Sequence, residues 1–124
     1  MKRILVLVAL CVAAVTLLAQ EPAGNVTLRG YVMDASCGAA LSGKPNAEAR
    51  AARHTKACAL MEECAASGYG VMVEGKWVKF DARGDTLAKK AIKASKKERG
   101  HYFEVKGVMR GEKLAVLSLK EKEK

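Results

Sequence analysis

Two β-hairpin signals, an alternating strand ahead of them and a lysine-faced helix between them predict a mainly β (α+β) domain. The order strand, helical insert, strand, strand, helix, strand, strand is that of a small five-stranded OB-like barrel. In such barrels the first and last inter-strand loops commonly bind the ligand. Here the first loop has grown into a helical insert after strand 1 that carries Cys37, Cys58 and Cys64.

The first strand is read over residues 26–33, where Val26, Leu28 and Val32 alternate with polar or larger neighbours and face the core. Asp34, Ala35, Ser36, Cys37 and Gly38 interrupt the alternation, and Ser42, Gly43, Lys44, Pro45 and Asn46 are loop-forming. Residues 47–66 are alanine-rich and dominated by strong helix formers, with Ser67 and Gly68 as the stop. Strands over 69–73 and 76–81 flank Glu74 and Gly75, a two-residue turn with glycine second. That turn pairs Val73 with Lys76, Met72 with Trp77, Val71 with Val78 and Tyr69 with Phe80. Asp85 is the expected N-cap of a helix reaching about Arg99, with Leu87, Ala88, Ala91, Ile92, Ala94 and Ser95 inward and Gly100 as its stop. Strands over 102–110 and 113–120 flank Gly111 and Glu112. In the first of them Phe103, Val105 and Met109 share one face; the second is apolar almost throughout, so alternation leaves its register open. The domain is thus 26–120, after a flexible lead at 20–25 and before a solvated Glu/Lys tail at 121–124.

Residues 1–19 have the order of a secretory signal peptide: Lys2 and Arg3, an apolar run, then the small Ala19 ahead of Gln20, Glu21 and Pro22. The run of about 15 residues is short of the roughly 20 that span a bilayer as a helix. A lipoprotein reading of Cys11 fails because bulky Leu10 precedes it and the apolar run continues past it. The expected location is therefore periplasmic or secreted, with no membrane span after cleavage. The 124-residue chain would lose 19 residues and keep 105, enough for one core. Without Lys2 and Arg3, 20 basic residues face 13 acidic ones, a formal charge of +7. Three cysteines would remain in an oxidising space, which implies one pair and a leftover thiol, an intermolecular bridge, or a metal site.

The stretch Gly30-Tyr31-Val32-Met33-Asp34-Ala35-Ser36-Cys37-Gly38 is followed by His54, Ala57-Cys58-Ala59-Leu60-Met61, Cys64 and Ser67-Gly68-Tyr69-Gly70-Val71. Gly75-Lys76-Trp77-Val78-Lys79-Phe80-Asp81 and Val105-Lys106-Gly107 complete the pattern. With these motifs the chain resembles, over residues 26–119, a group of small exported bacterial proteins with an OB-like domain and no assigned function. The resemblance implies a compartment and a fold, and no reaction.

On an unbroken helix through 57–66, Cys58 and Cys64 would be separated by about 9 Å of rise and about 120° of rotation. They could not then bond, and Cys37 would pair with Cys58 or Cys64. The first reading is such a disulfide, stapling the insert to the barrel without any cofactor. The alternative is a zinc or copper(I) site built from Cys37, His54 and Cys58 with Cys64 or Asp34, since His54 and Cys58 are four apart and share a helix face. A reactive thiol with His54 as its base is a third reading; no C-x-x-C supports it, and no C-x-x-C-H supports a haem.

Trp77 with Lys76 and Lys79 offers a stacking platform for a ligand, or else Trp77 and Met72 pack beneath the insert or the second helix. The lysines from Lys89 to Lys97, with Arg99 and His101 near them, read as a solvated face. Export and an aromatic content of 5% argue against nucleic acid as the partner. No paired-carboxylate, Ser/His/Asp or phosphate-loop pattern occurs, so the chain is expected to be a non-catalytic binding or structural module for an unknown protein or small molecule.

Overall fold

The computed structural model describes residues 24–124, so the leader, Cys11 and most of the lead lie outside the described residues. Within them the chain forms β1 (Asn25–Asp34), α1 (Ala35–Leu41), α2 (Ala47–Ala51), α3 (Lys56–Leu60) and α4 (Glu62–Ala66). It continues as β2 (Tyr69–Val73), β3 (Lys76–Phe80), α5 (Ala82–Ala94), β4 (Tyr102–Arg110) and β5 (Lys113–Glu121).

Glu74 and Gly75 both adopt positive φ, 48° and 78°, the turn geometry that matches the twist of two adjoining strands. The expected register follows: Val71 faces Val78, Met72 faces Trp77 and Val73 faces Lys76. β1 pairs with β4 from Asn25 to Tyr31 and with β2 from Tyr31 to Asp34. β4 and β5 pair around the Gly111 turn, with an irregularity between Lys106 and Gly107. A short parallel contact, Lys79 with Lys113 and Phe80 with Leu114, joins β3 to β5 and closes the five strands into a ring. It also settles β5, whose Leu114 and Val116 point inward while Leu117 is exposed.

The ring encloses Val32, Tyr69, Val71, Phe80, Phe103, Val105, Leu114 and Val116, and α5 plugs it with Ala88 and Ile92. A second apolar cluster lies on the outer side of β1 and β2: Tyr31, Met33 and Met72 with Leu41, Ala47 and Ala51 of the insert. The end of β1 and nearly all of β2 are therefore buried on both faces.

Several sequence expectations are corrected here. The continuous helix over 47–66 is three short ones, and the stretch read as irregular after Asp34 is a fourth, α1. Residues 54–56 are drawn into pairing with 98–100: Thr55 bridges Arg99, the Lys56 amide donates to the Glu98 carbonyl, and the Gly100 amide donates to that of His54. Alanine's helical preference is worth only tenths of a kcal/mol per residue, and such tertiary bonds override it. Met61, at ψ 140°, makes the second break. The cap of α5 is Asp81, not Asp85; Asp81 Oδ1 accepts from the amides of Gly84 at 2.8 Å and Val116 at 3.2 Å. Helix α5 stops at Ala94, which is exposed, and Lys56 Nζ donates to the carbonyls of Lys93 and Ser95 at that end. The tail is docked: Ser95 donates to Glu121, the Lys122 amide to the Tyr102 carbonyl, and Lys124 Nζ to Glu48. The Lys124 ammonium lies 5.0 Å and 5.3 Å from the centroids of the Tyr31 and Tyr102 rings.

Candidate metal centre

Asp34 ends β1 in an extended conformation, and its Oδ2 accepts from the Cys37 amide at 3.0 Å, capping α1. Thr55 repeats the device on α3, its Oγ1 accepting from the Cys58 amide at 3.1 Å. Cys37 and Cys58 thus occupy the same third position of two short capped helices, as Asp34-x-x-Cys37 and Thr55-x-x-Cys58. Their sulfurs meet at 4.0 Å. His54, between α2 and α3, is anchored through its backbone to Ala51 and Gly100. Its Nε2 lies 3.0 Å from Asp34 Oδ1.

One donor atom from each of Asp34, Cys37, His54 and Cys58 falls within 4.8 Å of all the others. Asp34 is fully buried and the His54 side chain is 10% exposed. Close as they are, Asp34 Oδ1 and His54 Nε2 are not oriented for a hydrogen bond. Both atoms and His54 Nδ1 lack a hydrogen-bond partner among the described residues. Buried polar atoms left in that condition are costly, and they call for an ion, a proton or a solvent molecule to satisfy them.

Burial pushes the Asp34 carboxyl up, but the neighbouring His54 and the Cys37 amide outweigh it and hold the group below the usual carboxylate range. The Cys37 thiol is pushed up to about 12 by burial first, then by the Asp34 charge and Cys58. Cys64 is raised as well, by burial, Asp34, Cys58 and Glu63. These thiols hold their protons unless a cation replaces them, the condition under which metal binding releases protons.

The donor set can be tested against zinc. Two bonds of about 2.3 Å at a tetrahedral angle put two sulfurs about 3.8 Å apart, and bonds of about 2.0 Å put nitrogen and oxygen about 3.3 Å apart. The 4.0 Å between sulfurs and the 3.0 Å between His54 and Asp34 each lie within a few tenths of an ångström of those spacings. The residues fit. A carboxylate in the set favours zinc over copper(I), which prefers thiolates.

Four of the five sequence candidates for a metal site come together. Cys64 stands outside the four, although its thiol feels both Cys58 and Asp34. The expected disulfide from Cys37 to Cys58 or Cys64 is not formed: all three thiols are free, and 4.0 Å is about twice a sulfur–sulfur bond. The break at Met61 also removes the helical geometry that set Cys58 and Cys64 apart. The Trp77 indole lies against Gly38 and Gly70 in the outer cluster while staying half-buried, and its amide donates to Ser42. Lys76 is exposed, and Lys79 pairs with Asp85 at 3.7 Å. His101 has left the lysine face and is buried against the Lys97 carbonyl. Sequence reasoning missed Thr55, which a cap three residues before Cys58 would have signalled. It also missed Ser67, whose hydroxyl accepts from the Ser36 amide and donates to the Cys64 carbonyl, tying α1 to α4.

Comparison with known proteins returned no matching family model, curated protein or solved structure.

Proposed function

We propose that this is an exported, non-catalytic, OB-like module that binds a zinc-class divalent ion through Asp34, Cys37, His54 and Cys58. The ion clamps the helical insert to the end of β1. One observation carries the reading: four donors from β1, α1, the α2–α3 link and α3 converge within 4.8 Å around buried Asp34 and His54 atoms that have no hydrogen-bond partner among the described residues. The strand order β1-β2-β3-β5-β4 supports the OB-like part, and the charge-then-apolar order of residues 2–18 supports export.

Metal analysis of the purified protein, with titration of its thiols before and after reduction, tests the site. One zinc per chain, lost in Cys37→Ser, Cys58→Ser and His54→Ala but kept in Cys64→Ser, is expected. A protein with one titratable thiol before reduction that still takes up no zinc after reduction would restore the disulfide staple in its place.

A further inference from the structure

We infer that Cys37 and Cys58 form a two-electron redox couple, and that their oxidation to a disulfide expels the metal. The inference rests on the metal centre proposed above. It starts from the pairing of donors inside that centre: two oxidisable sulfurs in contact at 4.0 Å, and beside them a carboxylate and an imidazole that oxidants of thiols leave alone.

Joining the sulfurs requires them to close by about 2 Å, to the bond length of about 2.05 Å. The elements that carry them allow it. Each cysteine sits in the first turn of a helix, seven residues long for α1 and five for α3, and the two helices belong to different stretches of the insert. Side-chain rotation with a small shift of either helix brings the sulfurs together. Both cysteines are part-exposed, so an oxidant in solution reaches them. Asp34 and His54 are the buried half of the site.

The step balances with a low-molecular-weight disulfide as the oxidant. The two metal-bound thiolates give two electrons to its sulfur–sulfur bond and form the Cys37–Cys58 bond. Two protons from solvent complete the two thiols released, and the divalent ion leaves. Two ligands then remain, too few for zinc, which takes four in structural sites. Asp34 Oδ1 and His54 Nε2, already 3.0 Å apart, need only reorient to bond to each other once the ion is gone. The oxidised state therefore has its own pairing for these two atoms, and reduction with metal present reverses the change.

Zinc-loaded protein is titrated with glutathione disulfide while a chromophoric chelator reports free zinc, and peptide mass spectrometry locates the bond formed. One zinc released per disulfide is expected, with the bond between Cys37 and Cys58 in both wild type and Cys64→Ser, and dithiothreitol plus zinc restoring the loaded form. Zinc that stays bound while the oxidant is consumed overturns the couple and leaves the metal centre standing. So does a disulfide that maps to Cys64 in the wild type. A protein that never takes up zinc overturns the centre, and this inference with it.

Discussion

Replacing Asp34 by asparagine separates its two tasks, because an amide oxygen still accepts from the Cys37 amide and caps α1 while the anionic ligand is lost. Without metal, Asp34→Asn should stay within about 1 kcal/mol of wild type, since Asn and Asp are near-equal caps. Zinc changes the comparison. At a thousand times its dissociation constant, a ligand that binds only the folded state stabilises it by about 4.1 kcal/mol. A hundredfold weaker site at the same concentration contributes about 1.4 kcal/mol, so the substitution should remove about 2.7 kcal/mol of zinc-dependent stability. For a domain of roughly 100 residues that is on the order of 10–20 °C in midpoint temperature. Denaturant unfolding with and without zinc, run on wild type, Asp34→Asn and Asp34→Ala, measures it. Asp34→Ala should show the same zinc loss plus about 1 kcal/mol without metal, from the missing cap. A full zinc increment in Asp34→Asn would show that the carboxylate is no ligand.

Thr55→Ala should cost about 1 kcal/mol in chemical unfolding through the lost cap on α3, and Thr55→Ser should recover most of it. Gly38→Ala drives a methyl into the Trp77 ring; about 1–3 kcal/mol of overpacking and a changed near-ultraviolet signal are expected, whereas an unaltered tryptophan environment would place the indole elsewhere. Tyr69, raised to about 12 by burial and then by Asp34 and Asp85, favours its neutral phenol in the folded state. Its contribution is complete below pH 10 and fades as pH climbs through 12, on the order of 2 kcal/mol in all. In Tyr69→Phe that alkaline loss should shrink, at a cost of about 1 kcal/mol at neutral pH for the hydrogen bond to the Ala59 carbonyl.

The ring was legible where local chemistry decides. A two-residue turn with glycine second left one register for β2 and β3, and alternation marked the inward side of β1 and β4. The insert was not, because its breaks come from strands and loops far along the chain. Nothing within 47–66 announces that 54–56 will pair with 98–100. Asp85 was credible as the cap by type, as any aspartate there would be, and Asp81 takes the role because β3 ends before it and the Val116 amide holds its carboxylate. The metal candidates were legible as residue types but for a mistaken reason. His54 and Cys58 meet without sharing a helix, through the link between α2 and α3. The helix rotation expected to hold Cys64 away from Cys58 is absent, since Met61 breaks the chain between them, and the Cys64 thiol feels both Cys58 and Asp34.

The pairing of β1 with β4 joins residue 25 to residue 108, although β1 precedes the other described strands along the chain. Its partner on that edge exists only once the insert, β2, β3 and α5 have all been made. The enclosing hydrogen-bond circuit therefore cannot assemble progressively during translation. It forms late, by long-range closure of the kind that slows folding, and until then the edge of β1 from Asn25 to Tyr31 is left open.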